Sequence, residues 1–129
     1  MSGIGALQLR VLVVEDEFLI RLTLVEALSD EGFEVLEAET ADAALPILQS
    51  DPDIRLLLTD IQLPGLLNGR ALAVKARENL PNLPVIFMTG RLEPGDEARH
   101  SAHDVFINKP YTLADICQAA KRLTAQNAA

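Results

Sequence analysis

The sequence has one cysteine and no tryptophan, and only 4% of its 129 residues are aromatic. A lone thiol, Cys117, cannot close an internal disulfide, which excludes the cross-linked secreted scaffolds and suits a reducing compartment. Core packing is its expected role. Without tryptophan and with few other aromatics, the chain offers no base-stacking platform for nucleic acid. Positive charge is also scarce: 11 Lys and Arg stand against 19 Asp and Glu, a formal charge of -8, whereas phosphate-backbone binding needs clustered cations. No apolar run approaches the roughly 18 residues of a membrane helix. The start, Met1-Ser2-Gly3-Ile4-Gly5, has neither the basic nor the apolar region of a signal peptide. These absences predict a cytoplasmic protein that binds neither nucleic acid nor membrane.

What is present is the composition of a globular domain, with 49% hydrophobic and 23% charged residues. The length predicts one domain over 1–129, with its core at about 9–124, large enough to bury roughly two-thirds of its unfolded surface. The most informative stretch is Leu56-Leu57-Leu58-Thr59-Asp60, a run of aliphatics that ends abruptly in a carboxylate. Such a run reads as a strand buried on both faces. In an open parallel sheet, the carboxyl ends of the strands are where ligands bind.

Taken in order, residues 9–14 form a strand candidate that ends in Glu15-Asp16-Glu17. From Phe18 the period becomes helical, with Leu19, Leu22, Val25, Ala27 and Leu28 recurring until Gly32 supplies a stop. Residues 33–38 read as a second strand, and Thr40 caps a helix through Leu48. Pro46 lies inside that helix and predicts a kink or an early end, because it removes a hydrogen bond and crowds the preceding turn. After the central strand, at about 54–60, come a turn-rich loop, a helix over about 69–79 and a fourth strand over 85–89 that ends in Thr89 and Gly90. The segment from Arg91 to Asp104 has little apolar periodicity, so a fourth helix there, at about 96–101, is expected to be short or irregular. A fifth strand over 105–109 stops at Pro110. Thr112 and Asp115 then resemble a capping box opening a last helix through about Thr124, with Ile116, Ala119, Ala120 and Leu123 as its inward stripe. His100 and His103 are expected at the surface, with no further ligands nearby. Strict alternation of strand and helix predicts a doubly wound α/β domain with a parallel sheet and right-handed crossovers.

The strand ends carry related chemistry: Glu15 and Asp16 after the first, Asp60 after the third, Thr89 after the fourth and Lys109 after the fifth. A flavodoxin-like strand order of 2-1-3-4-5 would place the first and third strands side by side and bring the acids together. Crowded carboxylates repel unless a cation is bound, and Mg²⁺ suits such an oxygen site. A carboxylate beside Mg²⁺, an ammonium and a hydroxyl matches phosphoryl transfer, with Asp60 as the nucleophile. Each residue taken alone also has a structural explanation: acids favour a helix N-terminus, and Asp60 would be ordinary in a turn. Their joint placement at one sheet edge favours the chemical reading.

Four motifs in order then carry a family resemblance: Val-Val-Glu-Asp-Glu at 13–17, Thr-Asp-Ile-Gln-Leu-Pro-Gly at 59–65, Met-Thr-Gly at 88–90 and Asn-Lys-Pro-Tyr at 108–111. Over about 9–123 the chain resembles the receiver domain of two-component response regulators, of the stand-alone type. The resemblance implies the (βα)5 fold with strand order 2-1-3-4-5. It implies that Asp60 is the phosphoacceptor and that Mg²⁺ is held by Glu15, Asp16, Asp60 and the backbone carbonyl of Gln62. Lys109 matches the family's lysine, and its bond to Pro110 is expected to be cis. Thr89 and Phe106 match the switch pair. The implied partners are a histidine kinase or a histidine phosphotransfer protein. A homodimer is expected either through the face of the fourth helix, fifth strand and last helix or through the first and last helices. The domain would be no enzyme beyond handling its own phosphoryl group, and its output would be a protein contact or a phosphate relay. The alternatives are an adaptor that works without phosphorylation, or a fragment of a hybrid histidine kinase. The chain departs from the family pattern in a loop after Pro64 one residue longer, a stretch before Lys109 about two residues shorter, Gly90 in place of a common alanine, and Pro46.

Overall fold

The apolar runs at 11–14, 56–58 and 85–88 are completely or almost completely buried, because they form the middle of one sheet covered on both faces. The structure, a computed structural model, describes residues 8–90 and 103–128, without the side chains of 126–128. Its strands are β1 (Arg10–Val14), β2 (Glu34–Ala38), β3 (Ile54–Asp60), β4 (Val85–Thr89) and β5 (Asp104–Asn108). Among the described residues the helices are α1 (Phe18–Asp30), α2 (Ala41–Ser50), α3 (Gly69–Asn79) and α4 (Leu113–Ala128). All neighbouring strands pair in parallel, in the order β2-β1-β3-β4-β5, as expected for a doubly wound sheet. The segment where a short or irregular extra helix was expected, including His100, lies outside the described residues.

Alternation along the strands divides the core into two layers. Leu12, Val14, Leu57, Val85 and Phe87 face α2 and α3, where Ala41, Ala44, Leu48, Leu72 and Ala76 close the layer. Val11, Val13, Leu56, Leu58, Ile86 and Met88 face α1 and α4. On that side Ile116, Ala119, Ala120 and Leu123 are buried, as their spacing predicts. Cys117 joins this layer, 3.8 Å from the Ala27 carbonyl oxygen, and burial pushes its thiol pKa up.

Several local expectations are corrected. In α1 the buried residues are Arg21, Leu24 and Leu28, whereas Leu19 is 71% exposed and Leu22 is exposed too. This helix has apolar side chains nearly all round, so spacing alone does not fix which face turns inward. Pro46 neither ends α2 early nor keeps it from reaching Ser50. Proline removes only one hydrogen bond, Pro46 faces solvent, and Ala41, Ala44 and Leu48 anchor the turns around it. Thr40 does cap this helix, accepting a hydrogen bond from the Ala43 amide at 3.0 Å. The last helix runs to Ala128 rather than ending near Thr124, and the capping box is present: Thr112 Oγ1 accepts from the Asp115 amide at 3.0 Å. β5 starts and ends one residue earlier than predicted. His103, expected at the surface, is half-buried, and its carbonyl accepts from the Val85 amide at 2.8 Å where β4 and β5 begin to pair.

Candidate functional site

Strand register brings the polar strand ends together. Val14 pairs with Thr59, so Glu15 emerges level with Asp60. On the other side Asp60 pairs with Met88, and Thr89 pairs with Asn108, so Thr89 and Lys109 follow one step beyond. The Lys109 amide donates to the Thr89 carbonyl at 2.8 Å and the Ile61 amide to the Met88 carbonyl at 2.9 Å, extending the ladder past the strand ends. The Lys109–Pro110 bond is cis, as the resemblance implies.

Asp60 is only 5% exposed. Its Oδ2 accepts from Lys109 Nζ at 2.8 Å and its Oδ1 from the Gln62 amide at 3.3 Å. Carboxylate oxygens of Glu15, Asp16 and Asp60 all lie within 4.8 Å of one another. Asp16 is exposed, whereas Glu15 is 1% exposed. Glu15 Oε2 accepts from the Glu17 amide at 2.9 Å, but Oε1 is buried without a hydrogen-bond partner. Burial pushes the Glu15 carboxyl up to about 7; the Glu17 amide opposes the shift, and the Asp60 charge adds to it. Lys109 is held above its usual value by its bond to Asp60 and by the charges of Asp60 and Glu15, which outweigh the opposing effect of its burial.

This donor set fits a hard divalent cation. Three carboxylates face one another, one oxygen lacks any partner, and the single ammonium leaves them incompletely balanced. A cation would satisfy Glu15 Oε1 and offset the desolvation that raises its pKa.

Thr89 is fully buried at the same edge. Phe106 points to the opposite layer from Val105 and Ile107, its ring stacked on Phe87 with centroids 4.8 Å apart and Arg70 lying 5.5 Å over it. Glu15, Asp16, Asp60, Thr89 and Lys109 therefore lie at the carboxyl edge of the sheet, whereas Phe106 sits in the middle of β5 opposite Phe87.

Two contributors escaped the sequence reading. Gly69 opens α3 against the Asp60 peptide: its amide donates to the Ile61 carbonyl at 2.9 Å, and a Cβ there would lie 2.2 Å from the Asp60 carbonyl oxygen. A glycine directly after the capping residue Asn68 was the available signal. The second is Arg21, whose Nη1 donates to the Glu15 carbonyl at 2.8 Å. Nothing in the α1 pattern marked it. In the loop between β3 and α3, Gly65 has φ +105° and a Cβ there would meet Asp42 Oδ2 at 2.5 Å, while that oxygen accepts from the Leu66 amide at 3.2 Å. The loop after Pro64 is thus tied to the start of α2.

Residues 11–121 match the sequence profile of the response regulator receiver domain. The chain is 36% identical over 115 residues to the aerobic respiration control protein ArcA of Escherichia coli strain K12, an alignment covering 88% of this chain and 47% of ArcA. The chain therefore spans about half the length of that relative. It is 34% identical over 118 residues to the response regulator receiver protein CpdR of Brucella abortus, covering 88% of this chain and 95% of CpdR. Among solved structures, a response regulator receiver protein from Sinorhizobium medicae superposes with a TM-score of 0.84 at 26% identity, covering 92% of this chain and 95% of that one. The receiver domain of the hybrid histidine kinase CckA superposes with a TM-score of 0.76 at 32% identity, covering 89% and 98%. Sequence and fold agree, and the chain belongs to the response regulator receiver domains of two-component signalling.

Proposed function

We propose that this receiver is a phosphoacceptor switch in which Asp60 takes a phosphoryl group from a histidine kinase or a histidine phosphotransfer protein. The observation that supports this most directly is the buried Asp60 carboxylate, held between the Lys109 ammonium and two further carboxylates, one of which has an oxygen without a partner. Glu15, Asp16, Asp60 and the backbone carbonyl of Gln62 would hold Mg²⁺. When bound, the ion neutralises charge on the phosphoryl oxygens in the transition state.

An Asp60 oxygen forms the new O–P bond as the N–P bond of the donor phosphohistidine breaks, and the released imidazole takes its proton from solvent. Lys109 already donates to Oδ2, so its ammonium is in reach of a phosphoryl oxygen carried on that carboxylate. Thr89 supplies a hydroxyl at the same edge, and the Phe106 ring responds with it as the switch pair. The first turns of α1 expose Phe18 (62%), Leu19 and Leu22 directly after the acidic triplet, giving a donor protein an apolar surface beside the pocket. The domain acts on no separate substrate; it turns over only its own phosphoryl group. Its place is the cytoplasm, and its output is a protein contact or a relay of the phosphoryl group.

The test is incubation with Mg²⁺ and acetyl phosphate followed by intact mass measurement. The expected result is a single phosphoryl adduct, stable in acid and labile in base, that is absent in Asp60→Asn. An unmodified wild-type chain, or an undiminished adduct in Asp60→Asn, would overturn the assignment.

A further inference from the structure

We propose that Arg21 is the positioning residue of the acidic pocket, fixing the Glu15–Asp16 peptide through the Glu15 carbonyl; this rests on the metal reading above. Arg21 is 6% exposed, on the sheet-facing side of a helix whose other buried residues are Leu24 and Leu28. A buried cation carries a desolvation cost that needs compensating contacts. Its guanidinium makes three. Nε donates to Glu37 Oε1 at 2.8 Å, Nη2 lies 3.6 Å from Glu39 Oε1, and Nη1 donates to the Glu15 carbonyl at 2.8 Å. The first two partners are exposed carboxylates, and ion pairs of that kind contribute little. The third is a buried backbone acceptor, and leaving such a group unsatisfied is costly.

The geometry around Glu15 shows what this contact controls. The Glu15 amide donates to the Ala38 carbonyl at 3.1 Å, the carboxylate accepts from the Glu17 amide, and the carbonyl accepts from Arg21. Every polar group of the residue is thereby fixed except Oε1, which is buried without a partner. Because the peptide unit is planar, holding the carbonyl also sets the orientation of the bond leading into Asp16, and with it the direction in which the Asp16 carboxylate leaves the chain. A fork of donors reaching back from the second turn of α1 suits this task, since one end engages Glu37 while the other keeps the carbonyl. The Phe18 ring, 5.6 Å from the guanidinium carbon, covers the arrangement from α1.

The test compares Mg²⁺ binding by calorimetry in the full chain and in Arg21→Met, Arg21→Lys and Glu37→Gln, with circular dichroism to check folding. Arg21→Met keeps the aliphatic stem and removes all donors. It is expected to bind Mg²⁺ about tenfold more weakly, the lower end of the losses seen when groups orienting metal ligands are removed. Its rate of adduct formation from acetyl phosphate should recover at saturating Mg²⁺. Arg21→Lys, with one donor group for two acceptors, should fall between Arg21→Met and wild type. Glu37→Gln, which weakens the ion pair but spares the carbonyl contact, should bind within about twofold of wild type. The role is overturned if folded Arg21→Met binds Mg²⁺ like wild type, or if Glu37→Gln weakens binding as much as Arg21→Met. Should Arg21→Met not fold, wild-type affinity in Arg21→Lys overturns it, as does failure of both Arg21 variants to fold, which would place the residue in stability alone. A wild-type chain that binds no Mg²⁺ removes the metal reading and this role together, whereas unchanged variants beside a binding wild type remove only this role.

Discussion

Glu15 holds a charge in a place that disfavours one. Its pKa is raised from 4.5 to about 7, so between those values the folded chain binds a proton that the unfolded chain has released. Stability without metal therefore declines as pH rises through this window, and the loss is complete above the folded pKa. In Mg²⁺-free buffer the melting temperature should fall between about pH 5 and pH 8. Glu15→Gln should flatten that dependence and melt higher at about pH 8, by roughly 4 °C for each kcal/mol relieved; thermal denaturation at several pH values checks this. At this scale the sequence was most legible where an apolar run broke off into a charged or hydroxyl group, as at Glu15, Asp60, Thr89 and the Lys109 turn. It was least legible at Arg21. A single cation in a helix with apolar residues on nearly every face has no preferred side until the sheet is in place, and its acceptors come from β2 and the β1 exit, which are remote from α1 in pattern though near in space.

The loop and helix after β3 hold Asp60 as much as the strand does. The first residue of α3 must approach the Asp60 peptide more closely than any side chain allows, so Gly69→Ala has to displace either the helix or the backbone at Asp60 and Ile61. A cost of about 1–3 kcal/mol is expected in urea denaturation, typical of overpacking, along with slower adduct formation on Asp60. Phe106 belongs to a different element and should behave differently. Phe106→Ala loses the stack on Phe87 and the Arg70 contact. It should lower stability by a similar amount, about 1–3 kcal/mol for a half-buried ring, while leaving adduct formation within about twofold of wild type; urea denaturation and intact mass read the two effects separately. Element types and most boundaries were legible because β-α alternation is marked by changes of period. Pro46 misled as to where α2 ends, because one lost hydrogen bond weighs less than three apolar anchors on the sheet side of the helix. The end of α4 was also missed, since the inward apolar stripe stops at Leu123 while the helix continues through Thr124-Ala125-Gln126-Asn127-Ala128, which carry no large apolar side chain.

Across the whole molecule the charge of -8 makes general cation screening favourable, so a metal effect must be separated from a salt effect. A cation bound only by the folded state at 100 times its Kd adds about 2.7 kcal/mol. Mg²⁺ should therefore raise the melting temperature by several degrees beyond what Na⁺ of equal ionic strength achieves, and Asp16→Ala should abolish the excess. The parallel class of the sheet was readable from alternation, but the strand order was not. Alternation fits several orders, and the family motifs supplied the one observed. One further consequence concerns observation of the switch itself. The chain has a single thiol, and Cys117, on α4 with its Sγ 3.8 Å from the Ala27 carbonyl of α1, is only 8% exposed while that helix is seated. Its rate of labelling by a thiol reagent is thus a built-in clock for the local opening of α4. Timing it before and after phosphodonor is added would reveal whether a charge placed on Asp60 loosens a helix packed against the sheet, with no residue of the chain replaced.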